Sequence, residues 1–156
     1  MTMFNLLTDK SYLTAVTRTR PSAPMQYLYA KGLLVGDKLD YGCGKGFDAS
    51  FYKMDRYDPF YFNDRIPLES YDTITCIYCL NVIEDFRERR ELINNMMDLL
   101  KPDGNIYIAV RADKKNLNGL TKKGTWQGYI VLANESIYSC AKFDLYNLKK
   151  GKGYER

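Results

Sequence analysis

The run Leu39-Asp40-Tyr41-Gly42-Cys43-Gly44-Lys45-Gly46-Phe47-Asp48 sets three glycines at alternate positions, directly after a short apolar strand pattern. A glycine turn lets backbone approach a ligand with no Cβ in the way. In an open parallel sheet, ligands bind at the carboxyl ends of the strands, where this turn falls. The spacing narrows the choice. A dinucleotide fingerprint has its third glycine five residues after the first, whereas Gly46 is four after Gly42. No Gly-Lys-Ser/Thr follows, so the turn is not a P-loop. A ligand cradle and a tight strand-to-helix turn that binds nothing both remain open.

Other reactive side chains are few. The chain has no histidine, which removes imidazole bases and histidine-containing metal sites. Cys76-x-x-Cys79 has zinc or redox spacing, but it falls inside a strand pattern and has no second pair. Cys43 and Cys140 are isolated. All four read as buried thiols, and no metal is expected. Trp126 and Tyr129 can stack on a substrate base, or close the core or a lid. Glu84 and Asp85 can orient an acceptor, and Asp85 equally suits a helix cap.

The elements that must position these groups follow from period and punctuation. Residues 1–20 read as a helix plus a connector. Arg20-Pro21-Ser22-Ala23-Pro24 breaks the chain and starts a helix, with Ser22 as N-cap. Residues 25–31 continue it and Gly32 ends it. Residues 38–41 form a short buried strand, 47–52 begin a helix, and 54–57 form a second strand closed by Asp58-Pro59. Residues 60–70 are irregular. The β-branched and aromatic run 71–80 predicts a central strand. Asp85 and Glu88 have capping-box spacing. Phe86, Ile93, Met96, Met97 and Leu100 then share one helical face. Lys101-Pro102-Asp103-Gly104 stops that helix, and 105–110 is another strand. Strands interleaved with helices predict an α/β fold on a mostly parallel sheet. Beyond Arg111 the pattern weakens: 121–133 suits a loop and a strand, and 136–148 is ambiguous.

At 156 residues, 46% hydrophobic and 27% charged, the chain suits a single globular domain. No apolar run reaches membrane-spanning length, and the first ten residues lack a signal-peptide pattern. A cytoplasmic setting with reduced thiols is expected. Residues 1–110 carry 13 basic and 15 acidic side chains; residues 111–156 carry 10 and 4. That imbalance permits an anionic partner such as nucleic acid at the C-terminal end, and fits a solvated basic tail equally well.

With Asp40 before it, the Gly-x-Gly-x-Gly turn resembles motif I of class I S-adenosylmethionine-dependent methyltransferases. Residues 99–110, LLKPDGNIYIAV, are similar to the Leu-Lys-Pro-Gly-Gly segment and strand of those enzymes. Across residues 18–130 the likeness is closer. RTRPSAPMQYL, LDYGCGKGFD, YDPFY, LNVIEDFRER and GLTKKGTWQGY occur in that order. The set is similar to the methyltransferases associated with DNA phosphorothioation and to short phage-encoded relatives.

The resemblance implies a Rossmann-like class I methyltransferase fold with S-adenosyl-L-methionine as cofactor. It implies that Gly42, Gly44 and Gly46 hold the methionine part, with Asp40, Tyr41, Cys43 and Asp48 beside it. Asp58 would accept hydrogen bonds from both ribose hydroxyls, or serves as a turn residue before Pro59. Tyr78, Cys79, Leu80 and Asn81 would lie nearest the methyl. Arg20 can pair with the cofactor carboxylate or stand as a plain surface arginine, and Asp64 would meet the adenine amino group. The expected organisation is one domain over 1–156: a helical segment to residue 35, a cofactor-binding core over 36–112, and a basic segment from 113.

The chain also departs from the family pattern. Gly46 to Asp58 leaves room for only a short first crossover helix. Pro59 to Tyr71 leaves little for both a strand and a helix. The third strand is therefore expected to be short or missing, and the terminal hairpin likewise. Methyl transfer from a sulfonium is an in-line displacement, for which alignment and water exclusion supply much of the rate. A base is needed only if the acceptor's proton leaves early, so no catalytic residue is singled out. Neither Asn/Asp-Pro-Pro-Tyr/Phe nor Pro-Cys flanks the 71–80 strand, which argues against those two nucleic-acid-modifying classes. The acceptor stays open, nucleic acid included. A non-catalytic binder or sensor of the cofactor is the competing reading.

Overall fold

The structure, a computed structural model, describes residues 11–150. The expected helix over 1–20 falls partly outside these residues; within them, Ser11–Thr14 is a single 3-10 turn and an extended stretch follows. Helix α1 spans Ala23–Ala30, α2 Phe47–Phe51 and α3 Phe86–Leu99. The strands are β1 Lys38–Tyr41, β2 Asp55–Tyr57, β3 Tyr71–Ile77, β4 Leu100–Arg111, β5 Asn118–Leu120, β6 Trp126–Gly128, β7 Tyr138–Ser139 and β8 Phe143–Lys149.

Six strands form one sheet in the order β2-β1-β3-β4-β8-β7, and β5 and β6 pair as a separate two-stranded ribbon. Strands β2, β1, β3 and β4 run parallel, while β8 is antiparallel to β4 and β7 to β8. The fold is therefore α/β on a mostly parallel sheet, with no strand outside β2 among the described residues. The terminal hairpin is short in its first arm, where β7 has two residues.

Alternation along β4 builds the two faces. Ile106, Ile108 and Val110 enter one apolar cluster with Leu92, Ile93, Met96 and Met97 of α3. Tyr107 and Ala109 enter a second with Met25 and Leu28 of α1 and Ala49 of α2. Strand β8 divides the same way, Tyr146 and Leu148 to the first and Phe143 and Leu145 to the second. Period-2 side chains thus supply both faces of a sheet sandwiched between helices.

The local signals explain most boundaries. Gly32 ends α1 at φ 70, with Leu33 N donating to Leu28 O at 3.0 Å, the reverse turn that satisfies last-turn carbonyls. Asp85 caps α3 by accepting from Arg87 N at 2.7 Å. Four expectations need correction. Phe86 is 61% exposed, because as the first residue of α3 it overhangs the core instead of joining the buried face. Strand β2 starts at Asp55, one residue later than expected, since Lys53 takes a left-handed conformation at φ 56. The Lys101–Gly104 stop is already part of β4. The 71–80 strand ends at Ile77, because Tyr78 turns the chain at φ 59 and Leu80–Val82 forms a 3-10 turn.

Candidate cofactor site

A cavity of about 220 Å³ opens at the C-terminal ends of β1, β2 and β3. The glycine turn forms its floor. Residues 14–18 pass along one side, and Gln127 of β6 reaches it from the two-stranded ribbon. Gly42 has φ 78, and a side chain there would run into Cys79 Sγ. A Cβ on Gly44 would meet Ala15 Cβ at 3.2 Å. The chain's own atoms therefore press on both glycines. Lys45 Nζ donates to Thr17 Oγ1 at 2.9 Å and ties the N-terminal stretch to the turn.

The turn's amides are largely spent within the protein. Gly42 N and Cys43 N both donate to Tyr57 O, at 2.7 and 3.0 Å. Gly44 N donates to Asp58 Oδ2 at 2.9 Å, and Gly46 N to Cys43 O at 3.0 Å. Phosphates bind such turns through free N–H groups. These four have none to offer, which argues against a dinucleotide held by its pyrophosphate.

The charged lining consists mainly of carboxylates and cations. Asp40 is 3% exposed and accepts from Thr75 Oγ1 at 2.9 Å. Burial pushes its carboxyl up to about 7, the nearby Asp48 adds to the rise, and the Thr75 bond and Arg18 oppose it. Asp48 accepts from Ser22 N at 2.9 Å and Ser22 Oγ at 2.7 Å. Ser22 holds the N-cap position of α1, yet its hydroxyl serves Asp48 and makes no cap bond. That buried pair locks α1 to α2 behind the turn. Asp58 sits at the end of β2. Its Oδ1 accepts from Phe60 N at 2.9 Å and Tyr61 N at 3.1 Å, while Oδ2 accepts only Gly44 N among the described residues. A carboxylate oxygen has two acceptor positions, so Oδ2 keeps one and Oδ1 is saturated.

Above the floor stand Tyr78, Cys79 and Asn81. Tyr78 is a bulky residue in the left-handed region, an arrangement that costs energy and gathers at functional sites. Burial pushes its phenol up to about 12. The Cys43 thiol is pushed up by burial, and the Cys79 thiol by its bond with Cys76 and by burial. These three groups stay protonated at neutral pH. Asn81 is 1% exposed; its Nδ2 donates to Gln127 Oε1 at 3.1 Å, and its Oδ1 has no partner among the described residues. Arg111 faces the cavity from the end of β4, with Asp113 accepting from Nε and Nη2 at 2.7 Å each.

Of the residues singled out in the sequence, Asp40, Tyr41, Gly42, Cys43, Gly44, Asp48, Asp58, Pro59, Tyr78, Cys79 and Asn81 line this cavity. Four lie outside its lining. Gly46 is buried at the N-cap of α2, Leu80 is in the core, and Arg20 and Asp64 are exposed. Arg18, two residues before Arg20, lines the cavity. Both belong to the stretch before Pro21, and nothing in their spacing says which one turns inward. Gln127 is a further lining residue that the sequence reading misses, although it lies inside the GTWQGY run. Among the described residues no three His, Cys, Asp or Glu side chains gather as a metal site, and no helix is long and apolar enough to cross a membrane.

Residues 14–155 match the family model described as a methyltransferase domain. No curated protein sequence matches the chain. Among solved structures, the DhpI complex with S-adenosylhomocysteine (SAH) is 11% identical over 84% of this chain and 85% of its own, with a TM-score of 0.57. The N-methyltransferase NodS from Bradyrhizobium japonicum WM9, also complexed with S-adenosyl-L-homocysteine, is 16% identical over 83% and 85%, with a TM-score of 0.54. Both share the fold. The chain spans 52% and 53% of two other matched structures, about half their length. With its family model covering almost the whole described chain, the protein belongs to the methyltransferase-domain family, whose cofactor is S-adenosyl-L-methionine.

Proposed function

We propose that this cavity binds S-adenosyl-L-methionine and that the chain transfers the methyl group to an acceptor by in-line displacement. The supporting observation is the match between the lining and an amino acid joined to a nucleoside. Arg18 can pair with the carboxylate of the amino-acid end, and Asp40 with its ammonium. The remaining acceptor position on Asp58 Oδ2 suits one ribose hydroxyl. When bound, the cofactor supplies a methyl already activated by a positive sulfur. The protein's contribution is then placement. The Ser22–Asp48 and Asp58–Gly44 bonds fix the floor, and residues 14–18 with the β5–β6 ribbon restrict water.

The side chains above the floor hold their protons, so an acceptor that brings its own lone pair and releases a proton after transfer suits them best. Nucleic acid belongs among the acceptors to screen on one ground: Lys114, Lys115, Lys122 and Lys123 border the ribbon that carries Gln127. The protonated thiols and phenol also favour a second reading, ligand sensing without transfer.

Calorimetry with S-adenosylmethionine, SAH and NAD tests the site. Binding of the first two and not of NAD is expected; the reverse order would refute the assignment. Incubation with methyl-labelled cofactor and cellular nucleic-acid, protein and small-molecule fractions then separates the two readings. Label in any fraction supports transfer, and intact binding with no label supports sensing.

A further inference from the structure

We propose that Arg111 binds an oxyanion carried by the methyl acceptor, which makes the acceptor a small molecule bearing a carboxylate or phosphate group. The inference rests on the cofactor reading above and names the acceptor class which that reading leaves open. Arg18, Asp40 and Asp58 are the charged lining groups assigned to the cofactor. Lys45 is tied to Thr17, and Asp48 to Ser22. Arg111 is the charged group of the lining still without a role toward a ligand.

Its place in the sheet sets it apart from the cofactor's partners. In the order β2-β1-β3-β4, Asp58 follows β2, the glycine turn follows β1, Tyr78 follows β3, and Arg111 ends β4. Arg111 and Asp58 therefore stand at opposite ends of the cavity. Tyr78 N donates to Ala109 O at 2.8 Å, which holds the Tyr78 turn against β4. Arg111 follows Ala109 by two residues, so both side chains leave the same face of β4. That face packs on α1, the helix that residues 14–18 lead into. The Tyr78 phenol registers the outcome. Burial, the largest influence, raises it, and Cys140 and Asp113 add to the rise, while Arg18 and Arg111 both favour its ionised form. With the cofactor carboxylate on Arg18, Arg111 is the cation that an incoming acceptor meets.

The guanidinium is held by one edge only. Asp113, two residues on, accepts from Nε and Nη2 at 2.7 Å each. That grip fixes the plane of the fork. Both N–H groups of Nη1 make no hydrogen bond among the described residues, and Nη2 keeps its second N–H. These two nitrogens form the end-on pair that takes two oxygens of a carboxylate or phosphate. The Arg111 side chain is 36% exposed, so water and salt screen it less than a surface charge. The cavity of about 220 Å³ must also take the cofactor, which favours a small acceptor.

The test is an NMR titration of the full chain saturated with SAH, following the Arg111 Nε–H and Asp113 amide signals. The probes are benzoate and phenyl phosphate, with benzamide as the neutral match. The wild type is expected to bind at least one anion about tenfold more tightly than benzamide, the worth of a charge-assisted contact. Which anion binds better tells carboxylate from phosphate. Arg111→Met should bring anion and amide within about threefold of each other by removing that contact, with SAH affinity kept. Should Arg111→Met fail to fold, Arg111→Gln takes its place. Anions bound no better than benzamide, or an unchanged preference in the Arg111 variant, would overturn the proposal. A large loss of SAH affinity in that variant would overturn it too, by giving the arginine to the cofactor's own carboxylate. Failure of the wild type to bind SAH at all would instead refute the cofactor site itself.

Discussion

Replacing Asp40 by asparagine tests the electrostatics of the site directly. Asp40 is a carboxyl buried under the glycine turn, with two other carboxylates, Asp48 and Asp58, acting on it. Burial, then Asp48, raises its pKa from 3.8 to about 7. The native protein therefore binds this proton more tightly than the unfolded chain. Stability from this group is complete below pH 3.8 and is lost as pH rises through about 7. At about 1.36 kcal/mol per pH unit, the full penalty above pH 7 is on the order of 4 kcal/mol. An asparagine amide at this position would keep an acceptor for Thr75 and carry no charge. The variant should thus exceed the wild type in stability at pH 8 by up to about 4 kcal/mol, or on the order of 10 °C in melting temperature. The gap should close toward pH 4. Other carboxylates titrate in both proteins and cancel in the difference. The assay is urea or thermal denaturation of both proteins at half-unit steps from pH 4 to 8.5. A gap that does not change with pH, or a variant less stable at pH 8, would refute the reasoning.

Ligand binding should respond with the opposite sign. Wild-type affinity for S-adenosylmethionine should fall about tenfold per pH unit below 7 as Asp40 takes up its proton, while Asp40→Asn binds weakly with a flat pH profile; matching profiles in calorimetry would remove Asp40 from the site. Gly42→Ala should destabilise by about 1–3 kcal/mol through its left-handed backbone and the Cys79 sulfur. The double variant with Cys79→Ala should recover part of that loss, and strictly additive denaturation energies would contradict the contact. Asp58→Ala should weaken SAH binding by about 1–3 kcal/mol, and it should also loosen the turn, read as faster amide exchange at Gly44. Tyr78→Gly should lower the melting temperature, because the ring packs on the Met25 and Leu28 cluster and losing it costs about 3–5 kcal/mol against about 1–3 kcal/mol of released strain; a higher melting point would show that the strain dominates.

Much of this architecture is visible in local sequence, because local chemistry decides it. The apolar 38–41 run, the glycines and the Asp85 cap each specify a conformation with little help from distant residues. What distant packing decides is not visible. Tyr78 belongs by composition to the strand before it, yet its φ of 59 turns the chain there and leaves the Cys79 sulfur beside Gly42. The 136–148 stretch is ambiguous as sequence because β7 has two residues and β8 is buried on both faces, so neither shows alternation. At the site, Asp58 after β2 is visible by position, while the bonds of its Oδ1 to Phe60 N and Tyr61 N depend on a turn with no sequence signature. That Arg18 lines the cavity and Arg20 does not is likewise tertiary. Asn81 is readable as a neighbour of the site, but its partner Gln127 lies 46 residues away.

The register of β8 on β4, from Asn105 opposite Lys149 to Arg111 opposite Phe143, sets an order of birth. The parallel half of the sheet is complete once β4 has been synthesised, yet β4 still shows a bare row of amides and carbonyls on its outer side. Ribosomes add about 5–20 residues per second, so several seconds pass before the covering strand exists. During that interval the nascent chain carries an adhesive edge along its longest strand. Chaperones that shield such edges should therefore raise the yield of this protein more than its small size would suggest.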